Sequence, residues 1–239
     1  MFLFTCKHSQ CVEAFHALLG CRGARIQEGN NRVSRDNTAY QFSLAYGELR
    51  KSAITLHRQR YQEIDFMPRD FQDPYEKNSV YFVARREEQV VGVCRLVIQD
   101  LRTLPTYAHF ELFEHERRAL IQFELGTYAE LGALTKLPQY PDLVPGLLAT
   151  TLVHASDLGM SHLLCCTDRR LFESARMFLD TPYKVIGNAR VFYGSVKIPC
   201  VLSIPETLER LKARKPQILQ HLPPRHRDPE DVYLPGEAA

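Results

Sequence analysis

The amino-acid sequence predicts an α/β (α+β) domain built on one mixed β-sheet with helices on both faces. Three observations carry that prediction. Period-2 apolar segments alternate along the chain with segments of helical spacing, in the order strand, helix, hairpin, strand, helix, strand, helix, strands. The composition is that of an ordinary folded domain, 45% hydrophobic and 24% charged over 239 residues. No internal repeat and no run approaching the ~18 to 20 apolar residues of a membrane span interrupts the pattern. A length of 239 residues fits one core large enough to hold a buried ligand site and leaves little room for two.

The first 39 residues read as an extension. Val12, Phe15, Leu18 and Leu19 recur at helical spacing before Gly20, which predicts a short helix from Ser9 to Leu19. The polar, Gly-rich stretch GCRGARIQEGNNRVSRDN after it reads as an exposed connection. From Tyr40, YQFSLAY alternates as a half-buried strand, and Leu49, Ile54, Leu56, Tyr61 and Ile64 then lie along one helical stripe. The Pro- and acid-rich DFMPRDFQDPYEKNS is a loop long enough to suggest function. SVYFVARREEQVVGVCRLVI is a hairpin hinged at its charged centre. After the mixed segment LRTLPTYAHFELFEHERRALIQF, YAELGALTKL predicts a strand. PQYPDLVPG is a turn, and LLATTLVHASDLG a helix closed by Gly159. SHLLCC is a buried strand and RRLFESARMFL a second amphipathic helix; YKVIG, ARVFYGSV and IPCVLSI are further strands. The domain therefore spans 40–204. The remainder, 205–239, is a helix broken by Pro216 and a tail too polar to pack, which reads as disordered.

Charge and sulfur narrow the function classes. Thirty Lys and Arg against 28 Asp and Glu leave a net charge of +2, so nucleic acid is not an expected partner. The seven cysteines, Cys6, Cys11, Cys21, Cys94, Cys165, Cys166 and Cys200, are odd in number and lack a CxxC pair. They read as reduced thiols of a cytoplasmic protein, and the spacing of Cys6, His8, Cys11, His16 and Cys21 fits no standard zinc site, so no metal is expected. The start MFLFTCKHSQ lacks a signal's basic region and long apolar run, so neither export nor integral membrane contact is expected.

Two features carry chemistry. Glu130 is a lone carboxylate in the apolar YAELGAL; burial there is costly and raises its pKa toward that of a useful base. Arg95 follows VVGVC on a strand and calls for a carboxylate, which Asp73 and Glu76 of the acidic loop offer in bidentate geometry. Cys165 and Cys166 sit in an apolar strand without the His or helix N-terminus that a nucleophilic thiolate needs.

Over residues 41–204 the sequence resembles the GNAT-type acyltransferases, in the branch of acyl-homoserine-lactone autoinducer synthases and long-chain N-acyl amino acid synthases. The resemblance rests on Arg60-Tyr61-Gln62 in the first helix, Asp73-Pro-Tyr-Glu76 in the loop, and Val91-Gly-Val-Cys-Arg95-Leu96 in the hairpin. Tyr128-Ala-Glu130-Leu131 and Ser174-Ala175-Arg-Met-Phe178-Leu179 with Gly187 extend it. It implies a GNAT-like fold and transfer of a fatty acyl group from a thioester to an amine. Glu130 would be the proton acceptor, Arg95 part of the catalytic set, and Arg60, Asp73 and Glu76 would shape the acceptor pocket. Backbone N–H groups of Gly132, Ala133 and Leu134 would polarise the carbonyl. Leu179 stands where the family carries a thiolate-protonating Tyr, so Tyr183 is expected to take that role.

Two departures refine the implication. The glycine-rich pyrophosphate loop of CoA-dependent members is replaced by Asp142-Leu-Val-Pro145-Gly146, which favours the phosphopantetheine thioester of acyl carrier protein over acyl-CoA as co-substrate. Ala133 replaces the Arg that autoinducer synthases tend to carry, which favours an amino acid acceptor over a homoserine-lactone precursor. Acyl carrier protein is acidic, so its docking face should be basic: Arg169 and Arg170 are the expected carrier contacts, with Arg210, Lys212, Arg214 and Lys215 as a second basic cluster. No tightly bound cofactor is expected, and a lipid product allows peripheral membrane association. The rival readings are an autoinducer synthase, a CoA-dependent acetyltransferase and a non-catalytic acyl-binding module.

Overall fold

The computed structural model describes residues 40–64, 66–122, 128–214 and 216–220. The expected helix at Ser9–Leu19, Cys6, Cys11, Cys21, Lys215 and most of the polar tail lie outside them. The chain runs β1 (Gln41–Leu44), α1 (Gly47–Glu63), β2 (Ser79–Arg86), β3 (Gln89–Val97), α2 (Pro105–His109), α3 (Glu114–Gln122) and β4 (Tyr128–Lys136). It continues as α4 (Val144–Asp157), β5 (His162–Asp168), α5 (Arg169–Leu179), β6 (Lys184–Val185), β7 (Arg190–Phe192), β8 (Ser195–Ser203), α6 (Ile204–Arg214) and α7 (Pro216–Gln220). One sheet has the order β1-β2-β3-β4-β5-β8-β6, with β7 also paired to β8. Every pairing is antiparallel except β4 with β5, where α4 supplies the crossover that a parallel step requires.

Strand alternation sorts side chains onto two faces. Phe82, Leu96, Ala129 and Leu163 face the main core with Leu147 and Leu152 of α4. Gly146 lets α4 approach β1, because a Cβ there would sit 2.2 Å from the Phe42 ring. Ile204, Leu208 and Leu211 join the same cluster, so α6 packs into the core of the sheet domain. The opposite face is covered in two patches. Ala53 and Leu56 of α1 pack on Tyr81, Val83 and Val93. Leu101, Leu104 and Leu120 pack on Val97, Tyr128, Leu164 and Val201. Between the patches that face carries polar residues.

Three local readings are corrected. The mixed segment holds two helices, and α2 starts with Pro105 in its first turn, where a missing N–H costs nothing. The α4 helix begins at Val144, inside the expected turn, for the same reason at Pro145. ARVFYGSV divides into β7 and the start of β8 around Tyr193 and Gly194, both with positive φ, and β8 then runs unbroken through Pro199. Pro199 has no N–H to give, yet its carbonyl accepts from the Ile186 N–H at 3.0 Å.

Candidate active site

The sheet opens at its centre. The ladder between β4 and β5 runs from Tyr128 and His162 to Glu130 and Leu164 and ends there. Beyond that point β4 stays with β3 as far as Gly92 and Lys136, while β5 stays with β8 as far as Asp168 and Lys197. The two strands part, with Glu130 at the fork. A bulge between Val93 and Arg95 coincides with Ala133, whose φ of +50° lies in the left-handed region. The bulge turns β4 backbone groups out of the regular ladder beside the fork.

A cavity of about 100 Å³ lies on the α1 face at this opening. Arg95, Glu130, Gly132, Cys166 and Lys197 come from the sheet, and His57, Tyr61 and Phe66 from α1 and the chain after it. Glu130 is 3% exposed and held at both oxygens by one residue. The Thr106 N–H donates to Oε2 at 2.7 Å and its hydroxyl to Oε1 at 2.8 Å. That N–H belongs to the first turn of α2, where no helical acceptor exists. Burial pushes the Glu130 carboxyl up to about 7 despite these donors and the nearby Arg95 guanidinium. A carboxylate poised there can take a proton near neutral pH and return it.

Arg95 pairs in register with Gly132 and donates through Nη1 to Asp73 Oδ2, in an ion pair whose side chains are 11% and 5% exposed. Asp73 Oδ1 accepts the Tyr75 N–H at 3.0 Å, which fixes the loop's turn. Gly132 stands over the guanidinium, and a Cβ there would lie 3.5 Å from Arg95 Nε. His57, 2% exposed, stacks edge-on against Tyr61 with ring centroids 4.4 Å apart, and its Nε2 has no hydrogen-bond partner. Burial, with Arg95 adding to it, lowers His57 to about 3, so the ring is neutral.

The structure brings together Glu130, Arg95, Asp73, Gly132 and Ala133, all of which line the cavity. It separates others. Glu76 turns from Arg95 to Arg58, whose Nη2 donates to it at 2.7 Å, while Arg50 donates to the Glu76 carbonyl at 2.7 Å. Arg60 pairs with Glu63 one turn along α1 and is not part of the acidic cluster. Leu134 packs against the main core. Tyr183 lines a second, narrower cavity with Leu148, Leu152 and Leu202 on the far side of Leu131, which borders both cavities. Burial raises the Tyr183 phenol, so it is a protonated group. Arg169 and Arg170 are exposed at the start of α5, where Asp168 caps the helix by accepting the Arg170 N–H at 3.0 Å. In the second basic cluster Arg210 and Arg214 pair with Asp180, and Lys212 with Glu209.

Three residues escape the sequence reading. Thr106 lies in the segment left without elements. His57 sits on the predicted helix, where spacing marks it only as a face position. Lys197 could have been found by the rule that singles out Glu130, since it is a lone charge entering an apolar strand, KIPCVL.

A family model described as N-acyl amino acid synthase FeeM matches residues 52–203. The chain belongs to that family. It is an acyltransferase. No curated protein matches it by sequence. Among solved structures, FeeM, an N-acyl amino acid synthase from uncultured soil microbes, superposes with a TM-score of 0.61 at 15% identity, over 76% of this chain and 99% of that one. The CoA-dependent acyl-homoserine lactone synthase BjaI gives 0.51 at 17% identity over 70% and 79%. A putative N-acetyltransferase from Lactobacillus plantarum gives 0.50 at 13% over 70% and 99%. These likenesses carry the fold, a GNAT-like α+β architecture, which agrees with the class expected from sequence.

Proposed function

We propose that this FeeM-family acyltransferase moves a long-chain fatty acyl group from the phosphopantetheine thioester of acyl carrier protein to the amine of an amino acid, giving an N-acyl amino acid. The observation that carries the reading is Glu130, a buried carboxylate held at the fork of β4 and β5 with its pKa raised to about 7. An amino acid offers its nitrogen as an ammonium, which cannot attack. Glu130 takes one proton from it, and the amine then adds to the thioester carbonyl carbon. Backbone N–H groups of Gly132 and Ala133 at the bulge stabilise the oxyanion as it forms. The carbon–sulfur bond breaks, the departing thiolate takes a proton from solvent, and the nitrogen gives its second proton to solvent. The amide and free thiol leave, and Glu130 releases its proton. The apolar cavity of Leu148, Leu152, Tyr183 and Leu202, bordered by Leu131, suits the acyl side of the fork.

Donor preference follows from the turn before α4. Pro141 and Pro145 reduce the backbone N–H groups that could cradle a pyrophosphate, which favours carrier protein over CoA. Mass spectrometry of organic extracts from a host overexpressing the chain tests the reading. A new N-acyl amino acid of long chain length is the expected product; acetylated amines alone would overturn it.

A further inference from the structure

Lys197 is the cavity's unclaimed charge. It enters from β8 directly opposite Asp168 in the ladder, and its Nζ lies 4.5 Å from the centroid of the Phe66 ring, a cation–π contact in place of a salt bridge. Among the described residues no carboxylate forms an ion pair with it. Asp168 caps α5 instead, and Asp73 is committed to Arg95. The cavity therefore holds one neutralised pair, one carboxyl poised between its two forms, and one ammonium that no carboxylate contacts, Asp168 acting on it only from across the ladder. Half-burial makes that last charge costly, and desolvation lowers the Lys197 pKa from its ordinary value.

Position gives the charge a purpose. Cys166 stands between Glu130 and Lys197: burial pushes its thiol up to about 12, with the Glu130 carboxylate adding to the effect and the Lys197 ammonium opposing it. The two charged groups thus lie on either side of β5 in the wall of one cavity, Glu130 beside Leu164 and Lys197 opposite Asp168, with Cys166 between. An α-amino acid carries its nitrogen and its carboxylate on a single carbon, with the opposite charge order. Nitrogen toward Glu130 places the carboxylate toward Lys197. His57, whose buried Nε2 has no partner, lines the same space.

We infer that Lys197 receives the α-carboxylate of the acceptor, so that the cavity selects α-amino acids over amines that lack this group. The inference rests on the proposed function for the identity of the reaction and adds the residue that reads the acceptor. Arg95 is neutralised by Asp73 through Nη1, and its buried, unpartnered Nε adds a donor but no net charge.

Binding separates the inference from the reaction. The probes are N-dodecanoyl-L-phenylalanine and N-dodecanoylphenethylamine, which differ only in the carboxylate, titrated calorimetrically into the full-length protein below their micellar concentrations. The wild type is expected to bind the first about tenfold more tightly than the second. Lys197→Met keeps the aliphatic stem and should bind both equally, whereas Lys197→Arg should keep part of the preference. In kinetics with L-phenylalanine and phenethylamine as acceptors, Lys197→Met should raise KM for the amino acid with little change in kcat. Equal binding of the two probes by the wild type, no binding of the carboxylate probe, or a preference retained by Lys197→Met would overturn the assignment. Failure to acylate any amino acid, with the binding preference intact, would sink the proposed reaction and leave the carboxylate site standing.

Discussion

Glu130 shows how one side chain can be costly to the fold and useful to the chemistry. Its folded pKa of about 7 lies above the ordinary 4.5, so between those values the native state holds a proton that the unfolded chain has lost. Stability contributed by the protonated form is complete below pH 4.5 and is lost as pH rises through 7. Glu130→Gln keeps the shape, and the Thr106 hydroxyl can turn to accept from the new amide. Relative to wild type, the variant should therefore gain stability between pH 5 and pH 8, by on the order of 3 kcal/mol, in urea unfolding at the two pH values. The same substitution removes the proton acceptor. A rate loss of ~10²- to 10⁴-fold at neutral pH is expected, with partial recovery at high pH where solvent deprotonates the amine. Unchanged kinetics would place the base elsewhere, and a loss of folding at both pH values would mark Glu130 as structural.

At the scale of elements, the acidic loop between α1 and β2 is fastened from two sides. Asp73 is held from the sheet by Arg95, and Glu76 from α1 by Arg58 and Arg50. Arg95→Ala leaves Asp73 buried without its cation, a loss of about 3 to 5 kcal/mol that should be read in urea unfolding together with reduced activity. Full stability and activity in that variant would remove the pair from the account. The strands and long helices were legible because each carries its own period. Which carboxylate meets which arginine was not, because cross-element pairing depends on register and helix rotation that no local spacing encodes. Arg60 illustrates this: it lies on the predicted helix, yet its ion pair is with Glu63, three residues on, and not with the loop. The bulge at Ala133 was illegible for a related reason, since nothing in YAELGAL signals a non-glycine residue at φ +50°.

At the scale of the whole molecule, a net charge of +2 is too small to steer an acidic partner, so any attraction must come from local clusters. Sequence alone offers two, and the fold distinguishes them. On α6, Arg210 and Arg214 pair with Asp180 and Lys212 with Glu209. Arg169 and Arg170 are exposed where β5 passes into α5, a few residues beyond the point at which β5 leaves β4. On the proposed function, a carrier protein docked there would sit beside the strand that forms one arm of the fork. Replacing both with Glu should raise KM for acyl-carrier-protein about tenfold, more steeply at low salt than at high, because the effect is on encounter between opposite charges. Acyl-CoA, which needs no protein docking surface, should keep its KM within about twofold, and kcat should change with neither donor. Parallel kinetics with the two donors decide the matter: an equal loss with both would place the defect in the chemistry of the fork, and no loss with either would move the docking face away from α5.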